Sequence, residues 1–129
     1  MANIFPSIAI VDDDPSVLKA LARLLGTRSF RVRTYLSGSQ FIASLSEGMP
    51  DCLIVDLQMP EMTGLELQQN LNLSNIRIPT IVITAHDEMG MRGRCKSAGA
   101  IAYLSKPVND ASLFAAIEVA GGTTENRSV

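Results

Sequence analysis

Four short apolar runs in this chain each lead to a residue that carries chemistry, and no other feature constrains the fold as much. Ile8-Ala9-Ile10-Val11 closes in Asp12-Asp13, and Cys52-Leu53-Ile54-Val55 closes in Asp56. Thr80-Ile81-Val82-Ile83 closes in Thr84, and the run Ile101 to Leu104 is followed two residues on by Lys106-Pro107. Apolar runs of this length suit strands covered on both faces, as in a parallel sheet. If all four lie in one such sheet, three carboxylates, a hydroxyl and an ammonium gather at one edge. Such a group binds a divalent cation and moves a phosphoryl group.

Segments with helical period separate the runs. Asp14 can cap a first helix with Pro15 at its first position, where a missing amide proton costs nothing. Val17, Leu18, Leu21, Leu24 and Leu25 keep helical spacing, and Gly26 offers a stop. Phe30 and Val32 alternate with Arg31 and Arg33, as in a strand nearer the sheet edge. Ser37 with Gln40 and Thr63 with Glu66 have the spacing of capping boxes. The fourth helix is expected over 87–98 but contains Gly90 and Gly93, each costing roughly 1 kcal/mol against Ala in a helix interior. It should therefore be short, shifted or mobile. Leu113, Phe114 and Ile117 mark a last helix.

Strand-helix alternation in 129 residues predicts one α/β domain over 1–120. The stretch 121–129 has no apolar period and reads as a flexible tail or the start of a linker. The expected architecture is a flavodoxin-like, doubly wound, five-stranded parallel sheet with five helices and right-handed crossovers. In its strand order, 2-1-3-4-5, ligands bind beyond the carboxyl ends of strands 1 and 3. Asp12, Asp13 and Asp56 fall at that point.

Composition narrows the partners. A net charge of -2 gives no electrostatic case for nucleic-acid or membrane binding by this segment. No apolar stretch is long enough to span a bilayer, and Met1 to Pro6 lacks the pattern of a secretory signal. Two cysteines make no disulfide framework, so a reducing, cytoplasmic setting is expected.

Three carboxylates at one point repel each other. Two unit charges about 4 Å apart cost on the order of 4 kcal/mol at an effective dielectric near 20. A hard dication offsets that, and Mg²⁺ is served by two or three carboxylates and a backbone carbonyl. Asp56 stands alone on its strand and is best placed as the nucleophile that forms an acyl phosphate. Lys106 can meet a phosphoryl oxygen as a point charge and Thr84 can donate to another.

With these residues in place, 7–120 resembles a two-component response-regulator receiver domain of the CheY-like family. The resemblance rests on Val11-Asp12-Asp13-Asp14, Asp56 through Gly64, Thr84-Ala85, Ala98-Gly99-Ala100 and Lys106-Pro107, in order. It implies that Asp56 accepts phosphate from a histidine kinase or phosphotransfer protein. The chain would promote its own phosphorylation and slow dephosphorylation without being an enzyme on other substrates. The resemblance implies that Mg²⁺ is held by Asp13, Asp56 and the Gln58 backbone carbonyl, with Asp12 acting partly through water. It makes Thr84 and Tyr103 the switch pair and Lys106-Pro107 a cis peptide bond. It also puts output contacts, to a further domain or a second copy, on helix 4, strand 5 and helix 5. The stretch from Met59 to His86 resembles receivers that precede LuxR-type DNA-binding domains.

Some residues stand outside that pattern. His86, two positions after Thr84, reads as a loop histidine or as one that tunes acyl-phosphate lifetime. Ser105 stands where the resembled subfamily often has an acid. Met59, Met62, Met89 and Met91 fall around one edge, as loop and core packing or as a flexible partner surface. Cys52 should act as a small hydrophobe and Cys95 as an ordinary thiol. A flavodoxin-type electron carrier would share the architecture, but Asp12 to Asp14 would repel a flavin phosphate. A binding-only pseudo-receiver would lack one of the acids, the threonine or the lysine, and here none is missing.

Overall fold

The computed structural model describes residues 6–128, with side chains described through Gly121. Five parallel strands alternate with five helices: β1 (Ser7–Val11), α1 (Pro15–Gly26), β2 (Arg31–Tyr35), α2 (Gly38–Ser44), β3 (Cys52–Asp56), α3 (Gly64–Leu73), β4 (Thr80–Thr84), α4 (Met91–Ser97), β5 (Ala100–Ser105) and α5 (Asp110–Ser128). The sheet order is β2-β1-β3-β4-β5, as the alternation predicts. Of the tail expected over 121–129, positions 122–129 lie outside the residues whose side chains are described. Among the described residues, no helix is long and apolar enough to cross a membrane.

Alternation along the strands builds two core layers. Ile8, Ile10, Ile54, Ile81 and Ile83 pack with Leu25 of α1 and Leu113 and Ile117 of α5. Ala9, Val11, Leu53, Val55 and Val82 face the other way, onto Phe41, Leu67 and Cys95 of α2, α3 and α4. Both faces of β3 and β4 are buried along their whole length, which is why their sequences show no polar alternation. Edge strand β2 keeps Arg31 and Arg33 in solvent. At the other edge a register shift between Thr80 and Ile81 pairs them with Ala100 and Ala102, which turns Ile101 outward.

Local signals set the helix ends. The Asp14 carboxylate accepts the Ser16 amide at 2.9 Å, and α1 ends at Gly26. Thr63 and Glu66 form the full capping box of α3. At α2 the box is only half made: Ser37 accepts the Gln40 amide, but the Gln40 side chain reaches past it to the Leu36 amide at 3.0 Å. The Lys106–Pro107 bond is cis, as expected.

The fourth helix is short, as its glycines lead one to expect. It begins at Met91 instead of 87, because Gly90 takes a left-handed φ of 81° immediately before it. Gly90 is thus a turn residue that needs glycine, and only Gly93 is a helix-interior cost. A Cβ at Gly93 would meet nothing within 4 Å. Gly93→Ala should raise stability by about 0.5–1 kcal/mol and slow amide exchange across residues 91–97. An unchanged melting temperature would show that this helix is not limited by backbone preference.

Candidate functional site

Parallel register gathers the site. Val11 pairs with Val55, so Asp12 and Asp56 leave their strands at the same level. Asp56 pairs with Ile83, and Thr84 with Ser105, which brings Thr84 and Lys106 to that same edge. One carboxylate oxygen from each of Asp12, Asp13 and Asp56 lies within 4.8 Å of the others. Asp12 and Asp56 are buried while Asp13 is exposed. Gly64 lets the β3–α3 loop fold back: a Cβ there would stand 2.7 Å from the Asp56 carbonyl oxygen.

The three acids are not equivalent. Asp12 already has partners for both oxygens, the Lys106 ammonium at 2.9 Å and the Asp14 amide at 2.9 Å. Asp56 Oδ1 lies 3.4 Å from Lys106 Nζ and makes no hydrogen bond, although it is buried. Burial, and then the charge of Asp12, push the Asp56 carboxyl up to about 6, with Lys106 offsetting part of the rise. Burial pulls the Lys106 pKa down. The hydrogen bond to Asp12 and the charge of Asp56 outweigh that, so the ammonium is held above its ordinary range.

An orphaned buried carboxylate oxygen beside two further acids is a donor set that fits a hard cation. Asp13 is exposed and Asp56 Oδ1 makes no hydrogen bond, so each can offer an oxygen to it, whereas both Asp12 oxygens are hydrogen-bonded.

Thr84 is fully buried, and its hydroxyl lies 2.9 Å from Gln58 Oε1 and 2.8 Å from the His86 carbonyl. Tyr103 packs its ring into the second core layer, and its hydroxyl donates to Asp87 Oδ1 at 3.1 Å. Burial, followed by that bond to Asp87, pushes the phenol up to about 12. The Arg92 guanidinium sits 4.7 Å from the ring centroid and 3.4 Å from the Tyr103 carbonyl. Asp87 and the Gln58 side chain are therefore part of the site, and the sequence marks neither role. His86 is exposed and offers its main chain to the loop. Of the four methionines, Met59 is buried and Met62 and Met91 pack against the same layer, while Met89 is fully exposed. Both cysteines are buried and free; burial pushes the Cys52 thiol up to about 12 and raises that of Cys95.

Comparison with known proteins agrees with this geometry. Residues 8–118 match the family described as "Response regulator receiver domain". The chain is 39% identical over 112 residues to the "Transcriptional regulatory protein FixJ" of Rhizobium meliloti (strain 1021), covering 87% of this chain and 55% of that one. A response regulator receiver protein from Burkholderia phymatum superposes with a TM-score of 0.80 at 42% identity, over 91% of this chain and 95% of that one. A CheY-like receiver from Methanospirillum hungatei JF-1 gives a TM-score of 0.86 at 25% identity, over 95% and 98%. This chain spans about half the length of the curated relatives it matches.

Proposed function

Because this chain belongs to the response regulator receiver domain family, we propose that it is the phosphoacceptor switch of a two-component signalling system, with Asp56 as the acceptor. The carrying observation is the buried Asp56 Oδ1, without a hydrogen bond, beside two further carboxylates and 3.4 Å from an ammonium. In the reaction an Asp56 oxygen attacks the phosphorus of a phosphohistidine. The O–P bond forms, the P–N bond breaks, and the imidazole leaves with its electron pair and takes a proton from solvent. Asp13, Asp56 and the Gln58 carbonyl would hold Mg²⁺, which when bound supplies charge neutralisation for the phosphoryl oxygens. Lys106 follows the charge as it moves from the carboxylate to the phosphoryl group. The Thr84 hydroxyl donates to the product, and Tyr103 carries the change to β5.

The donor is a histidine kinase or phosphotransfer protein. The output surface is formed by α4, β5 and α5, contacting a further domain or a second copy. The chain catalyses only its own phosphorylation and slow dephosphorylation, in a reducing cytoplasmic compartment.

Intact-mass measurement after incubation with acetyl phosphate and Mg²⁺ tests the acceptor. Wild type should gain one phosphoryl group, while Asp56→Asn, and wild type in excess EDTA, should gain none. Asp13→Asn should need more Mg²⁺ to reach the wild-type rate. A stable adduct on Asp56→Asn would move the acceptor elsewhere.

A further inference from the structure

The Gln58 side chain ties the loop after β3 to the loop after β4. Its Nε2 donates to the His86 carbonyl at 3.0 Å. Its Oε1 accepts from the Thr84 hydroxyl at 2.9 Å and from the Ala85 amide at 3.3 Å. These partners fix the carboxamide's orientation, since a reversed amide would face donor to donor and acceptor to acceptor. Thr84 Oγ1 also accepts the His86 amide at 3.0 Å. The hydroxyl carries one proton, and both acceptors within its reach, Gln58 Oε1 and the His86 carbonyl, belong to this bridge.

We propose that Gln58 is a positioning residue whose side chain latches the Thr84 hydroxyl and the β4–α4 loop in the unphosphorylated arrangement, so that opening this latch sets the rate of Asp56 phosphorylation. The inference rests on the phosphoacceptor reading and adds a side-chain role to a residue otherwise invoked for its backbone carbonyl. A phosphoryl oxygen on Asp56 is a charged acceptor and outcompetes a neutral carboxamide for the hydroxyl. The hydroxyl must leave Gln58 to reach it, and the Ala85 amide then loses the order that the same carboxamide imposes. Gln58 suits this role in two ways. It carries a donor and an acceptor on one planar group, and its stem is long enough to cross between two strand ends.

Gln58→Met keeps the stem and removes all three bonds. In unphosphorylated protein the Ala85 and His86 amides should exchange faster in this variant. With acetyl phosphate and Mg²⁺, its phosphorylation rate should rise about fivefold, the factor that corresponds to one net hydrogen bond. In a Thr84→Ala background the same substitution should give no gain, because no hydroxyl remains to be released. Equal exchange in wild type and variant overturns the latch. So does faster exchange without faster phosphorylation, or an equal gain with and without Thr84. A wild-type protein that takes no phosphoryl group counts against the phosphoacceptor reading instead, and the exchange comparison still decides the latch.

Discussion

Lys106→Met should destabilise the metal-free protein by about 2–4 kcal/mol at neutral pH, because it strips the cation from a buried carboxylate. The Asp12 side chain is fully buried and its Oδ2 depends on Lys106 Nζ at 2.9 Å. Removing the charge while keeping an apolar stem of similar length leaves Asp12 with only the Asp14 amide among the described residues, and takes away the ammonium 3.4 Å from Asp56. The value sits below that for a wholly buried pair because the lysine is partly exposed to water. The loss should shrink as pH falls and Asp56 takes up its proton, and it should shrink when Mg²⁺ is added. The same substitution should slow phosphorylation by acetyl phosphate on the order of a hundredfold, the scale for losing one charge stabiliser at a reacting oxyanion. Denaturant melts in EDTA check the first effect and intact-mass time courses the second. A variant as stable as wild type at neutral pH would mean that Asp12 does not depend on the Lys106 ammonium.

That central role for Lys106 in the resting site was only half legible. The apolar runs and the residues that end them are local patterns, so the strands, their order and the gathering of Asp12, Asp13, Asp56, Thr84 and Lys106 follow from the sequence. Which groups touch does not follow. Lys106 reaches Asp12 across 94 positions, Gln58 reaches His86 across 28, and Tyr103 reaches Asp87 across 16. No periodicity records such pairings; they arise from register and side-chain length once the sheet has formed. Gly90 shows a second limit, since a glycine needed for a left-handed turn looks the same in sequence as one that weakens a helix. Gln40 shows a third: the spacing of a capping box is present, but its side chain bonds one residue upstream of the cap.

Asp56→Asn should have the opposite sign to Lys106→Met and stabilise the metal-free protein at neutral pH. In the folded chain the Asp56 carboxyl titrates near 6, against an ordinary value of 3.8, because burial and the Asp12 charge disfavour its ionised form. Between those two values the native state keeps a proton that the unfolded chain has released. Stability therefore falls as pH rises through that window, and the full cost is present above it. A shift of this size corresponds to about 2–3 kcal/mol at most. Asparagine has the same shape and no charge, so it removes the cost and the pH dependence together. In EDTA the variant should match wild type near pH 4 and exceed it by about 2 kcal/mol at neutral pH. Mg²⁺ should narrow the gap by stabilising wild type, since it binds the native cluster and the substituted carboxamide contributes no charge to it. A gap that stays constant from acid to neutral pH would show that the gain comes from packing, and no gap at neutral pH would show that Lys106 already neutralises Asp56 in full.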